Sequence, residues 1–180
     1  RVDNREVELE EDGLKIIALH QPVAIDLRFI VSVLRINSDL ERIGDLAVNI
    51  AERAGYLAGA DLPAAVLDFS PMAEKAQEML TKSLDAFVNM DPALAQGILD
   101  MDNVVDAMNR QMYCTISGLI RRNPAEVEAL LHLLSASRHL ERLADHATNI
   151  AEDVIYMVDG NIVRHKPETY PADETCRGEE

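Results

Sequence analysis

Tryptophan is absent from this chain, and three Phe and four Tyr bring the aromatic share to only 4%. Sheets draw on aromatic and β-branched residues. The scarcity argues against a β-rich fold, while abundant Ala and Leu suit packed helices. Cysteine is scarce too: Cys114 falls in a helical pattern and Cys176 in a polar tail. Two such residues do not make a disulfide framework, and a reducing cytoplasm fits best. There is no signal peptide and no apolar run long enough to cross a bilayer, so work at a membrane would go through a protein already there. Positive charge is the last shortage. Seventeen Lys and Arg stand against 32 Asp and Glu, a formal charge of −15. Such a surface repels nucleic acid and anionic lipid and attracts cations or basic protein surfaces.

What is present is a repeat. Residues 40–52 and 140–152 agree at nine of thirteen positions, 100 residues apart. The chain is therefore a duplicated unit, with 48% hydrophobic residues among 180 to build a core. On a helix, Glu41, Asp45, Asn49 and Glu52 form one stripe, beside an apolar stripe of Ile36, Leu40, Ile43, Ala47 and Ile50. The second copy sets Glu141, Asp145, Asn149 and Glu152 beside Leu140, Leu143, Ala147 and Ile150. Acids one turn apart repel, more so as the site dries, so a neutralising Arg, Lys or cation is expected.

Helical periodicity runs through the chain. Residues 1–19 read as a helix, interrupted by Gln21-Pro22, and Pro22 opens a long helix from about Val23 to Leu57. Residues 1–58 form the first unit and 59–69 the linker. Ser70-Pro71, Asp91-Pro92 and Asn123-Pro124 each place a capping residue before a first-turn proline. The helices they open, 71–90, 92–122 and 124–158, form the second unit within 70–160, closed by Gly160. Residues 161–180 are polar and aperiodic and read as a mobile tail. The fold class is all-α, two tandem three-helix bundles, the first lacking its N-terminal helix.

Asp102 and Asp106 lie one turn apart on the fourth helix, and Asp3 matches Asp106 in the first unit. If the helices run antiparallel, Asp102 and Asp106 face Glu141 and Asp145. A single acidic pair is most often a solvated helix face. Recurrence with the same flanks, beside the core stripe, favours a cation site. Carboxylate oxygens suit Mg²⁺, Mn²⁺, Ca²⁺ or iron better than structural zinc. His139 and His146 read as ordinary polar residues, Arg42 and Arg142 as partners of nearby acids, and Asn49 and Asn149 as cross-helix hydrogen-bond donors. Cys114, Met72, Met79, Met90, Met101, Met108 and Met112 read as core.

The stretches Gln21-Pro22-Val23-Ala24-Ile25-Asp26-Leu27-Arg28, residues 39–45 and residues 139–152, in this order and spacing, resemble the PhoU family of phosphate-response regulators. The resemblance spans roughly residues 2–160. It implies tandem three-helix bundles, and acid-x-x-x-Asp motifs that in some members hold iron clusters or other metals. Carried over, those positions are Glu41/Asp45, Asp102/Asp106 and Glu141/Asp145, with Asp3 as a remnant. It also implies a cytoplasmic, non-enzymatic negative regulator of the phosphate-starvation response, a homodimer linking a phosphate ABC transporter ATPase to a sensor histidine kinase. A di-iron carboxylate enzyme is disfavoured because no Glu-x-x-His occurs. A structural or dimerising bundle, or a cytoplasmic domain of a transporter, is the alternative without metal.

Overall fold

The computed structural model describes residues 2–59 and 67–163. Most of the expected linker, all but three residues of the expected tail, and Cys176 lie outside them. Five α-helices fill the described residues: α1 (Val2–His20), α2 (Ile25–Leu57), α3 (Ser70–Asn89), α4 (Pro92–Arg122) and α5 (Val127–Asp159), with a 3₁₀ turn at Pro124–Glu126. There is no strand among them. The all-α expectation holds. None of these helices is long and apolar enough to cross a membrane.

Local chemistry sets most helix ends. The Asp91 side chain accepts from the backbone N–H of Ala93 and Leu94 at 3.0 Å each and so caps α4. The other two proline starts differ from the expectation. Ser70 is already helical, and Asp68 reaches its N–H at 2.9 Å. The Asn123 side chain makes no capping bond, because a 3₁₀ turn precedes α5. Gly160, at φ 74°, ends α5 in the left-handed conformation that glycine adopts without a Cβ penalty. Met90 ends α3 in the same conformation at φ 54° and is 41% exposed, so it is a helix stop and not the core residue its spacing suggested.

α5 is the hub. It packs against α2, α3 and α4. Together α3, α4 and α5 close a three-helix bundle around Met79, Ala86, Ile98, Val105, Ala144 and Ile150, all sealed from water. α2 runs antiparallel along the opposite side of α5: Arg35 meets Asp153, Asp39 meets Asn149 and Arg53 meets His132. Those pairs set a register in which Gly44 and Ala144, the same position of the two copies, lie at one level. An approximate two-fold axis therefore relates α2 to α5. The two units are not separate rods but share this long helix pair.

α1 packs on α2 alone. Gly13 permits the approach: a Cβ there would stand 2.7 Å from Leu34 Cδ2. The Asn37 amide donates to the Glu6 carbonyl at 2.9 Å and fixes the antiparallel register. Beyond these points α1 leaves apolar side chains in water, Leu14 at 55% and Leu19 at 78% exposed. The first copy's apolar stripe is correspondingly incomplete. Ala47 is exposed and Leu46 is buried in its stead, whereas Ala147 is sealed. α5 is flanked on three sides; α2 has only α1 and α5.

Candidate functional site

The packing of α4 on α5 buries Val105 and Ala144 completely. Each has an acid as its next residue, Asp106 and Asp145, which is thereby held at the rim of the seam. Asp102 joins them from one turn earlier on α4. One carboxylate oxygen from each lies within 4.8 Å of the other two, with Asp102 and Asp106 half-buried and Asp145 open on one side. Loss of water, then the charges of Glu141, Asp102 and Asp106, push the Asp145 carboxyl up to about 7, while His146 pulls the other way. Three oxygens at that spacing form a hard-donor set of the kind that holds Mg²⁺, Mn²⁺, Ca²⁺ or iron. At neutral pH a proton partly takes the place such a cation would fill.

The expected positions therefore divide. Asp102, Asp106 and Asp145 come together, and Glu141 stands one turn from Asp145 and adds to its field. Asp3, Glu41 and Asp45 do not assemble into such a group, which is the only one among the described residues. Asp3 and Asp45 are exposed and Glu41 is half-buried. Their helices do meet, since Val2 lies over Gly44, but α1 brings one aspartate where α4 brings two.

Sequence reasoning missed a second set of polar residues, those between α2 and α5. His146 Nδ1 pairs with Asp39 at 2.8 Å, and the Asn149 amide donates to the same carboxylate at 3.5 Å. His146 is thus an interhelical link, and Asn149 acts across helices as its spacing suggested. Arg35 Nη1 lies 3.4 Å from Asp153, which is 1% exposed. Further along, Arg53 Nη1 meets His132 Nδ1 at 3.1 Å, and the Tyr56 ring stacks on His132 with centroids 3.8 Å apart. Tyr56 is pushed up from its ordinary value, chiefly by its hydrogen bond to Glu128. His139 Nε2 contacts Ser135 Oγ at 3.2 Å. Burial, then Arg53, Arg142 and Arg138, hold His139 below the ordinary histidine value. Arg42 and Arg142 form no ion pair among the described residues, contrary to expectation, because both project into solvent. The signal was in the repeat itself. Where the first copy has Asp39 and Arg53, the second has His139 and Asp153.

A tandem helical protein with a carboxylate cluster on one bundle is the class that fold and site define. The PhoU domain family model matches residues 1–54 and 69–154, and the chain belongs to that family. It is 36% identical over 166 residues to the phosphate-specific transport system accessory protein PhoU homolog of Pseudomonas aeruginosa, covering 92% of this chain and 69% of that one. The homolog of the same description from Aquifex aeolicus is 39% identical over 165 residues, covering 92% and 75%. The crystal structure of PhoU from Pseudomonas aeruginosa superposes with a TM-score of 0.85 at 35% identity, over 89% of this chain and 77% of that chain. The phosphate transport system regulatory protein PhoU from Streptococcus pneumoniae superposes at 0.67 with 25% identity, over 90% and 79%.

Proposed function

We propose that this chain is a non-enzymatic, metal-binding regulator of phosphate transport. It acts in the cytoplasm as a negative-regulatory adaptor between a phosphate ABC transporter ATPase and a sensor histidine kinase. The observation that carries the metal role is the convergence of Asp102, Asp106 and Asp145 within 4.8 Å. A cation there offsets the burial and the repulsion that together raise Asp145, binds the folded state selectively and stabilises it by mass action. Iron, manganese, magnesium and calcium suit the oxygen donors; zinc suits them less. The adaptor role follows from family membership and from relatives described as accessory to phosphate-specific transport.

Thermal melts in Mn²⁺ or Fe²⁺ against EDTA test the metal. The midpoint should rise with metal, and the rise should vanish in the Asp102→Asn, Asp106→Asn double variant. Identical midpoints with and without chelator would remove metal from the account. Elemental analysis of chelator-free protein then identifies the ion. For the partners, pull-down of the transporter ATPase and the kinase cytoplasmic domain is the direct measurement.

A second reading, a dimerising or structural bundle without metal, is favoured by one observation. Leu19, Val23 and Ile25, around the α1–α2 turn, are 78%, 73% and 67% exposed. On that reading the Asp102→Asn, Asp106→Asn variant binds its partners as the parent does.

A further inference from the structure

The five most exposed large apolar side chains among the described residues are Leu19, Val23, Ile25, Val88 and Ile162, none below 67%. They are far apart in sequence, yet the topology brings all five to one end of the bundle. Leu19 lies in the last turn of α1, Val23 in the turn that follows, and Ile25 opens α2. Arg28 lies against Gly160, so the start of α2 stands beside the end of α5, where Ile162 follows. Short connections at 90–91 and 123–126 make α3, α4 and α5 run up, down and up, which puts Val88 at the same end. The side-chain contacts Lys82–Met101 and Met72–Ser137 fit that register. Apolar side chains scattered singly over a surface need no explanation; a set gathered at one end marks a contact surface. The turn that presents three of them is also strained. Gln21 and Ala24 have φ of 45° and 50°, in the left-handed region, and neither is glycine.

Charge selects what covers this end. Asp26, Asp85 and Asp159 are exposed there, while the Arg28 side chain is half-buried against Gly160. A second copy would bring a like end and another formal charge of −15, and anionic lipid is repelled in the same way. A surface that is both apolar and basic fits. We propose that this end of the bundle docks an amphipathic helix of a partner protein, apolar along one stripe and flanked by Lys or Arg. Leu19, Val23, Ile25 and Ile162 take the stripe, and Asp26 and Asp159 attract the flanks. A protein partner is what the adaptor reading supplies, and the assignment rests on it.

The test uses the whole chain and a labelled synthetic helix of Leu and Lys in amphipathic order, read by fluorescence anisotropy at physiological ionic strength. Saturable binding is expected, and a Leu–Glu helix of the same pattern should not bind. The triple variant Val23→Ser, Ile25→Ser, Ile162→Ser should weaken binding about tenfold by removing the apolar contact. Tyr113→Ser with Leu131→Ser, exposed apolar positions elsewhere on α4 and α5, should bind as the parent does. Asp26→Asn with Asp159→Asn should weaken binding about threefold through lost attraction. No saturation, binding of the Leu–Glu helix as tightly, or equal losses in the triple and control variants overturns the proposal. So does parent-like affinity in the triple variant or, should that variant fail to fold, in the charge variant. A mass that doubles in sedimentation and reverts in the triple variant assigns the end to a second copy. Flotation with vesicles of anionic lipid, lost in the triple variant, assigns it to a membrane. Either result overturns the proposal. Because the probe is synthetic, failure of this face is told apart from failure of the adaptor reading, which the pull-down tests.

Discussion

Residues 40–52 and 140–152 began as the same segment, yet the two copies sit in different surroundings. The second lies on α5 with helices on three sides, and its acids meet two aspartates from α4. The first lies on α2, flanked by α1 and α5, and its acids close no such group. Nine shared residues of thirteen did not give the copies the same burial or the same electrostatics. What differs is what packs beside them. An acid is pushed up from its ordinary pKa only when neighbouring helices bring further acids and exclude water from around it.

The comparison is sharpest in the core. Ile150 is sealed among α5's neighbours, whereas Ile50 is only partly buried. Ile150→Ala should cost about 3–4 kcal/mol in a denaturant melt and Ile50→Ala about half that. Equal losses would mean that the copies are packed alike after all. The buried ion pair comes next. Arg35→Ala deprives Asp153 of its cation and should cost about 2 kcal/mol by the same melt, less than a fully enclosed pair because Arg35 is 46% exposed. Arg53→Ala, at the equivalent of Asp153, should cost less than Arg35→Ala by the same melt, since it leaves no buried carboxylate without its cation.

The carboxylate clusters should separate by pH. The Asp145 carboxyl is raised to about 7 in the folded chain, above its unfolded value, so the folded state holds the extra proton. Its contribution is therefore neutral below the unfolded value and increasingly destabilising as pH rises towards about 7. Asp145→Asn should flatten that part of the metal-free stability profile by about 1 kcal/mol, a figure discounted for its open side. Asp45 is exposed and belongs to no such group, so a matching change in Asp45→Asn would erase the distinction between the two sites. The smallest effect concerns the helix stop of the second unit. Met90→Gly relieves a left-handed backbone and should stabilise by about 0.5–1 kcal/mol. Gly160→Ala at the end of α5 should destabilise, because a Cβ there would press on Arg28.

Much of the molecule was legible in the chain. The 3.6-residue periodicity located all five helices, Pro92 after Asp91 marked the start of α4, and Gly160 marked the end of α5. The repeat pointed to Glu141 and Asp145, and the one-turn pair Asp102/Asp106 pointed to their neighbours. Three features were not legible. Asp68 replaced Ser70 in capping because a side chain two residues back reached the amide first. Met90 left the core because the helix had to stop there. The links Asp39–His146 and Arg53–His132 join residues 107 and 79 positions apart.

By itself the sequence determined helix, repeat and the acidic stripe, because each depends on residues within a few turns of one another. Only the tertiary structure decided which copy's acids converge and which polar residues link α2 to α5. Those outcomes depend on helices distant in the chain arriving side by side, and on the water they displace, neither of which local periodicity encodes.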